Sequence, residues 1–124
     1  MLHHREDTEH EGFRHFLPGP PLRGVLPIAV LRLIKDKPAH GGDIIQNLEK
    51  TFGIQVARPV VYMLLRRLER HGMMLSTWDV QESGPARRRY TITEEGLAHL
   101  DDGLERLKKA SKVINLLTSP KKKK

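Results

Sequence analysis

The stretch Val56–Gly72, VARPVVYMLLRRLERHG, decides how the rest of the chain is read. Val61, Leu64, Leu65 and Leu68 recur at i, i+3, i+4 and i+7, the apolar stripe of an amphipathic helix. Pro59 suits a first helical turn, where a missing N–H leaves no bond unmade. Gly72 suits the position just past the last turn. At about 100° per residue, Arg58, Tyr62, Arg66 and Arg70 fall together on the face away from the stripe. One edge of such a helix can be buried while the other offers cations and a phenol. A phosphate backbone or a major groove accepts that kind of face. Plain water accepts it too, so the neighbouring segments decide.

Upstream, residues 41–52, GGDIIQNLEKTF, predict a helix with Ile44, Ile45, Leu48 and Phe52 at helical spacing. Asp43 falls in its first turn, where a carboxylate suits the helix dipole, and Gly53 ends it. Residues 36–40, DKPAH, read as a turn. Two helices a few residues apart, the second with a basic outer face, form the helix-turn-helix pattern. Residues 25–35, VLPIAVLRLIK, are apolar nearly all round, interrupted by Arg32 and Lys35. Such a helix needs cover on more than one side, and a second subunit would supply it. A buried strand is the alternative for this run.

Downstream, residues 73–82 alternate with β-forming side chains and predict a strand. SGPA at 83–86 is a turn cluster, and RRRYTI at 87–92 is a returning strand. Arg87, Arg88 and Arg89 cannot all be buried in a strand, because its side chains alternate between two faces. They guard an edge, or they touch the phosphate backbone beside the groove; after a helix-turn-helix the second reading is preferred. Trp78 in the hairpin reads as packing rather than as a ligand platform. Thr93 then opens a last helix with Glu94 and Glu95 in its first turn. Leu97, Leu100, Leu104, Leu107, Ser111 and Ile114 alternate spacings of three and four, a seam of about two and a half heptads. A compact core uses its first leucines; the remainder, with Leu117, calls for a partner chain.

Composition bounds these readings. The chain has 124 residues and a formal net charge of +7, four of those charges at Lys121–Lys124. That length supports one modest core. The absence of cysteine excludes disulfides and thiolate metal sites. No apolar run approaches the roughly 20 residues that span a bilayer, and the N-terminus lacks a signal-peptide core, so a cytoplasmic protein without membrane attachment is expected. His3, His4, His10 and His15 lie among carboxylates in the N-terminal arm, but their spacing matches no closed metal site, and no cofactor is expected. No nucleophile–base pair or phosphate-cradling loop suggests an enzyme; His40 and His71 read as residues that cap or flank helices.

Taken in order, LRLIKDKPAHGGDI, VVYMLLRRLERHG and GPARRRYTITEEG resemble the PadR family of transcriptional regulators. The resemblance covers residues 26–100 and runs loosely through the last helix. It is carried by Tyr62, Leu65, Leu68, Glu69 and Gly72 in the helix, and by Gly84, Pro85, Arg88, Tyr90, Thr93 and Gly96 beyond it. This chain departs from the family's pattern at Gly42, where an aromatic is usual, at Arg58-Pro59, and at Arg89 before Tyr90.

The expected architecture is mainly α with a small β-hairpin: a winged helix-turn-helix, with three core helices and a wing, plus a C-terminal dimerisation helix. Residues 1–24 would form an arm, 25–92 the DNA-binding domain, 93–118 the dimerisation helix and 119–124 a basic tail. Gln55, Arg58, Tyr62, Arg66, Arg87, Arg88 and Arg89 would contact double-stranded DNA. Leu26, Val30, Leu33, Leu100, Leu104, Leu107, Ile114 and Leu117 would form a homodimer interface. The resemblance further implies repression at a palindromic operator and a small aromatic or hydrophobic effector. A winged-helix protein–protein module is the alternative function.

Overall fold

A computed structural model describes residues 24–80 and 84–120. The N-terminal histidines, with Phe13, Phe16 and Leu17, and the Lys121–Lys124 tail lie outside the described residues. Seven elements follow one another: α1 (Val25–Lys35), β1 (Ala39–His40), α2 (Gly41–Phe52), α3 (Arg58–Arg70), β2 (Met74–Asp79), β3 (Arg87–Ile92) and α4 (Glu94–Thr118). This is the winged helix-turn-helix expected from the sequence, with one addition. The hairpin is part of a three-stranded antiparallel sheet, ordered β1-β3-β2. Ala39 pairs with Tyr90 and His40 with Arg89, so the segment read as a turn also supplies an edge strand.

Local chemistry sets the boundaries. Gly53 ends α2 in the left-handed conformation, φ 69°, with its N–H bonded to the Glu49 carbonyl at 2.9 Å. Gly72 does the same after α3, φ 77°, and donates to the Glu69 carbonyl at 3.0 Å. Thr93 caps α4: its Oγ1 accepts from the Gly96 N–H at 2.9 Å and donates to the Gly72 carbonyl at 2.6 Å. One hydroxyl thereby joins the end of α3 to the start of α4.

The core gathers Leu31, Ile34, Ile44, Leu48, Val61, Leu65, Leu68, Met74 and Tyr90 around α1. Helix α1 is apolar on most faces because α2, α4 and β3 of the same chain all pack against it. This corrects part of the expected interface. Leu26, Val30 and Leu100 are at most 2% exposed within one chain; they are core residues that a partner cannot reach. Leu33, Leu104 and Leu107 are half-buried on the core's margin. Ile114 and Leu117 are exposed, on the part of α4 that runs beyond the core. Two glycines allow the close approach of α4: a Cβ on Gly96 would stand 2.0 Å from the Met73 carbonyl oxygen, and one on Gly103 2.2 Å from Ile28 Cδ1.

Candidate nucleic-acid interface

Helix α3 buries Val61, Leu64, Leu65 and Leu68 and leaves Arg58, Pro59, Met63, Arg66, Arg67 and Arg70 exposed. Its outer face therefore carries the cations read from the sequence. Met63, 56% exposed, was not among the expected contacts. It stands at i+4 from Pro59 and at i−3 and i−7 from Arg66 and Arg70, so the helical projection that grouped the arginines also finds it. An apolar spot thus lies inside a basic face. Gln55 is exposed just before the helix, and its amide nitrogen donates to Glu49 Oε2 at 2.8 Å.

Tyr62 is half-buried because its ring rests on the start of α2. A Cβ on Gly41 would stand 2.6 Å from Tyr62 Cε1, so only glycine admits the ring there. The Arg58 guanidinium carbon lies 5.9 Å from the centroid of that ring, within cation–π range. Gly41, the turn of the motif and the basic face of α3 are in this way built as one unit.

Strand β3 carries the wing arginines, and the structure gives each a different setting. Arg88 lies over the indole of Trp78, guanidinium carbon 4.6 Å from the ring centroid, and donates to Ser76 Oγ at 2.6 Å. Trp78 is 60% exposed; it does not pack into the core as expected but forms a platform under Arg88. The register explains this, since Trp78 pairs with Arg88 across the ladder and cross-strand partners share a face. Arg89, on the opposite face, donates to Asp79 Oδ2 at 2.9 Å. His40 Nε2 lies 2.9 Å from the same oxygen, and its Nδ1 3.4 Å from Asp43. The Arg89 hydrogen bond, and after it the His40 one, hold the Asp79 carboxyl below its ordinary range. Arg87 makes no ion pair among the described residues. All three arginines remain exposed, so the wing keeps a basic outer surface while Asp79 offsets the charge of one of them.

A second feature lies across the molecule. Val25, Ile28, Ala29, Phe52, Ile54, Leu104 and Leu107 line an apolar groove between α1, the end of α2 and α4, with a cavity of about 340 Å³ and Arg32 at its edge. Among the described residues no group of three or more metal-ligating side chains converges. No helix among them is long and apolar enough to cross a membrane.

A sequence model of the PadR-like family of transcriptional regulators matches residues 30–102. The chain belongs to that family. The matched span takes in α2, α3, the wing and the start of α4, the elements that build the basic surface. Solved PadR-like structures agree. A PadR family transcriptional regulator from Eggerthella lenta is 30% identical, covering 80% of this chain and 86% of that one, with a TM-score of 0.70. A PadR-like regulator from Bacillus cereus is 28% identical, covering 81% of this chain and 97% of that one, with a TM-score of 0.70. Bacillus subtilis PadR, solved in complex with operator DNA, is 26% identical, with a TM-score of 0.61. That match covers 64% of this chain and 46% of the longer relative.

Proposed function

We propose that this PadR-like regulator is a homodimeric repressor that binds a palindromic operator. The observation that carries the reading is the basic outer face of α3, whose Tyr62 shares a cleft with Arg87 and Arg88 of the wing. Arg58, Tyr62 and Arg66 would enter the major groove, with Gln55 beside them. An arginine there can pair with guanine O6 and N7. Arg87, Arg88 and Arg89 would contact phosphate beside the groove. The operator complex of Bacillus subtilis PadR supports the DNA-binding reading by fold and family. Repression is the reading suggested by the family resemblance.

The dimer reading rests on the far half of α4, where Val113, Ile114, Leu116 and Leu117 are exposed. Four apolar side chains on one exposed helix end favour a partner over water. A two-fold pair of α3 helices would read half-sites about one helical turn apart. The apolar groove beside Leu104 and Leu107 suits a small hydrophobic or aromatic effector.

Fluorescence anisotropy with a mixed-sequence duplex at two salt concentrations tests the core of this reading. Affinity should fall steeply as salt rises, because lysines and arginines displace condensed counterions. No binding at low salt would reject DNA recognition in favour of a protein–protein module. Loss of binding only on removal of Lys121–Lys124 would assign the affinity to the tail.

A further inference from the structure

A cleft of about 130 Å³ opens between α2, α3 and the wing, lined by His40, Gly41, Gly42, Tyr62, Arg87, Arg88 and Tyr90. Three independent features of it face the same chemistry. The first is the start of α2, a helix of 12 residues whose N-cap, His40, makes no side-chain bond to the first backbone amides. Its first amides are therefore left with unfilled donor capacity, and two residues without side chains bring that end of the helix up to the cleft. The second is Tyr90. It is 4% exposed, yet its hydroxyl has no hydrogen-bond partner among the described residues. Buried hydroxyls are normally paired, so one that lines a cleft and lacks a partner asks for an occupant. The third is the wall of cations. Arg87 and Arg88 stand on the wing side, and Arg58 Nη2 comes within 4.0 Å of where a Gly42 Cβ would be.

The nearby acids are engaged elsewhere. Asp43 faces His40 Nδ1 at 3.4 Å, and Glu69 accepts from Ser76 at 2.7 Å. Burial raises the Tyr90 hydroxyl above its ordinary value, which keeps it a donor at neutral pH. A helix N-terminus, phenol donors and three guanidinium groups together fit a compact oxyanion. They disfavour a cation or an apolar guest.

We propose that this cleft seats a single phosphate group, with the Tyr90 hydroxyl and the first amides of α2 as donors and Arg87 and Arg88 as charge partners. On DNA the group is a backbone phosphodiester, an arm that rests on the DNA-binding reading above. Off DNA it is free inorganic phosphate. Gly42, which lines the cleft without a side chain, helps to leave the seat open.

Full-length protein is titrated with inorganic phosphate at constant ionic strength, following the Gly41 and Gly42 amide resonances. Saturable shifts are expected that chloride does not produce and that a duplex displaces. Tyr90→Phe removes one hydroxyl that has no internal partner, so its thermal midpoint should hold or rise. Its affinity for phosphate and for duplex should fall about five-fold, the scale of one hydrogen bond. That loss should be equal at every salt concentration, since the phenol carries no charge. Gly42→Asp places a carboxylate in the first turn, where helices favour it; it should fold normally, abolish the phosphate shifts and weaken duplex binding at least ten-fold. Wild-type protein that binds duplex, with both variants binding equally well and no saturable phosphate shift, overturns the seat and leaves the DNA reading standing. Saturable phosphate shifts in a protein that binds no duplex support the seat and reject the DNA reading. Shifts that persist under saturating duplex overturn the phosphodiester arm alone.

Discussion

The Ser76 hydroxyl donates to Glu69 Oε2 at 2.7 Å and so ties β2 to the last turn of α3. Ser76 Oγ itself accepts from Arg88 Nη1 at 2.6 Å, and the Arg88 guanidinium in turn lies over Trp78. A relay of four side chains therefore runs from the groove-facing helix to the surface of the wing. It fixes where one wing cation stands relative to α3.

Ser76→Ala should break that relay at its centre. The half-buried site loses two hydrogen bonds, and urea unfolding should report a loss of about 1–2 kcal/mol. Duplex affinity should drop, while the slope of affinity against salt is retained because Arg88 keeps its charge. Arg88→Ala should lower that slope by about one. A Ser76→Ala protein with unchanged DNA affinity would show that the relay does not position Arg88.

Asp79 should restrain DNA binding as well as hold the wing together. Asp79→Asn releases Arg89 and removes a negative charge, so duplex affinity should rise severalfold at low salt and the gain should fade as salt is added. The pH dependence has a definite sign. Arg89, and then His40, hold the folded Asp79 carboxyl below the ordinary 3.8. Its stabilising contribution is complete above 3.8 and is lost as pH falls through the lower folded value. Carbon-detected titration of the Asp79 carboxyl should show a midpoint below 3.8, and a midpoint above it would contradict the pairing.

The two tight glycines of α4 should differ in what an added methyl does. At Gly96 the methyl meets backbone, the Met73 carbonyl oxygen at 2.0 Å, so a strand or helix must move. Gly96→Ala should cost about 2 kcal/mol or more in urea unfolding. At Gly103 it meets the tip of Ile28, which can turn aside, and alanine in a helix returns roughly 1 kcal/mol. Gly103→Ala should therefore cost clearly less than Gly96→Ala.

Ile114→Lys with Leu117→Lys should give monomers by light scattering, with helicity and unfolding of the core nearly unchanged. Both side chains stand clear of the core. Operator affinity should fall with the loss of the second half-site. A double variant that remains dimeric would move the interface to another surface.

Much of the fold was legible because it is written in local patterns. Helical spacing located α1, α2 and α3 within a few residues of their observed ends, and Thr93 marked the start of α4 through a cap that the structure shows. Strand β1 was not legible. Two residues carry no periodicity, and their partners, Tyr90 and Arg89, lie far along the chain. The burial of Leu26 and Val30 within one chain was not legible for a related reason. A helix apolar all round needs cover, but its sequence does not say whether that cover comes from its own chain or a second one. The arginines of the candidate interface were visible as a face and as a run. Their separate settings were not, because the platform under Arg88 and the counter-charge beside Arg89 depend on strand register.

Strand β1 bears on the energetics of recognition. A hairpin joined to a domain only through its ends would move independently, and docking it would require it to become ordered. That costs on the order of 1–2 kcal/mol of conformational entropy for each backbone residue fixed. Ala39 and His40 pair with the middle of β3 and hold it in the sheet from its other side, so much of that ordering is completed when the chain folds. Contacts made from β3 can then contribute to affinity almost undiminished, as in any preorganised binding surface.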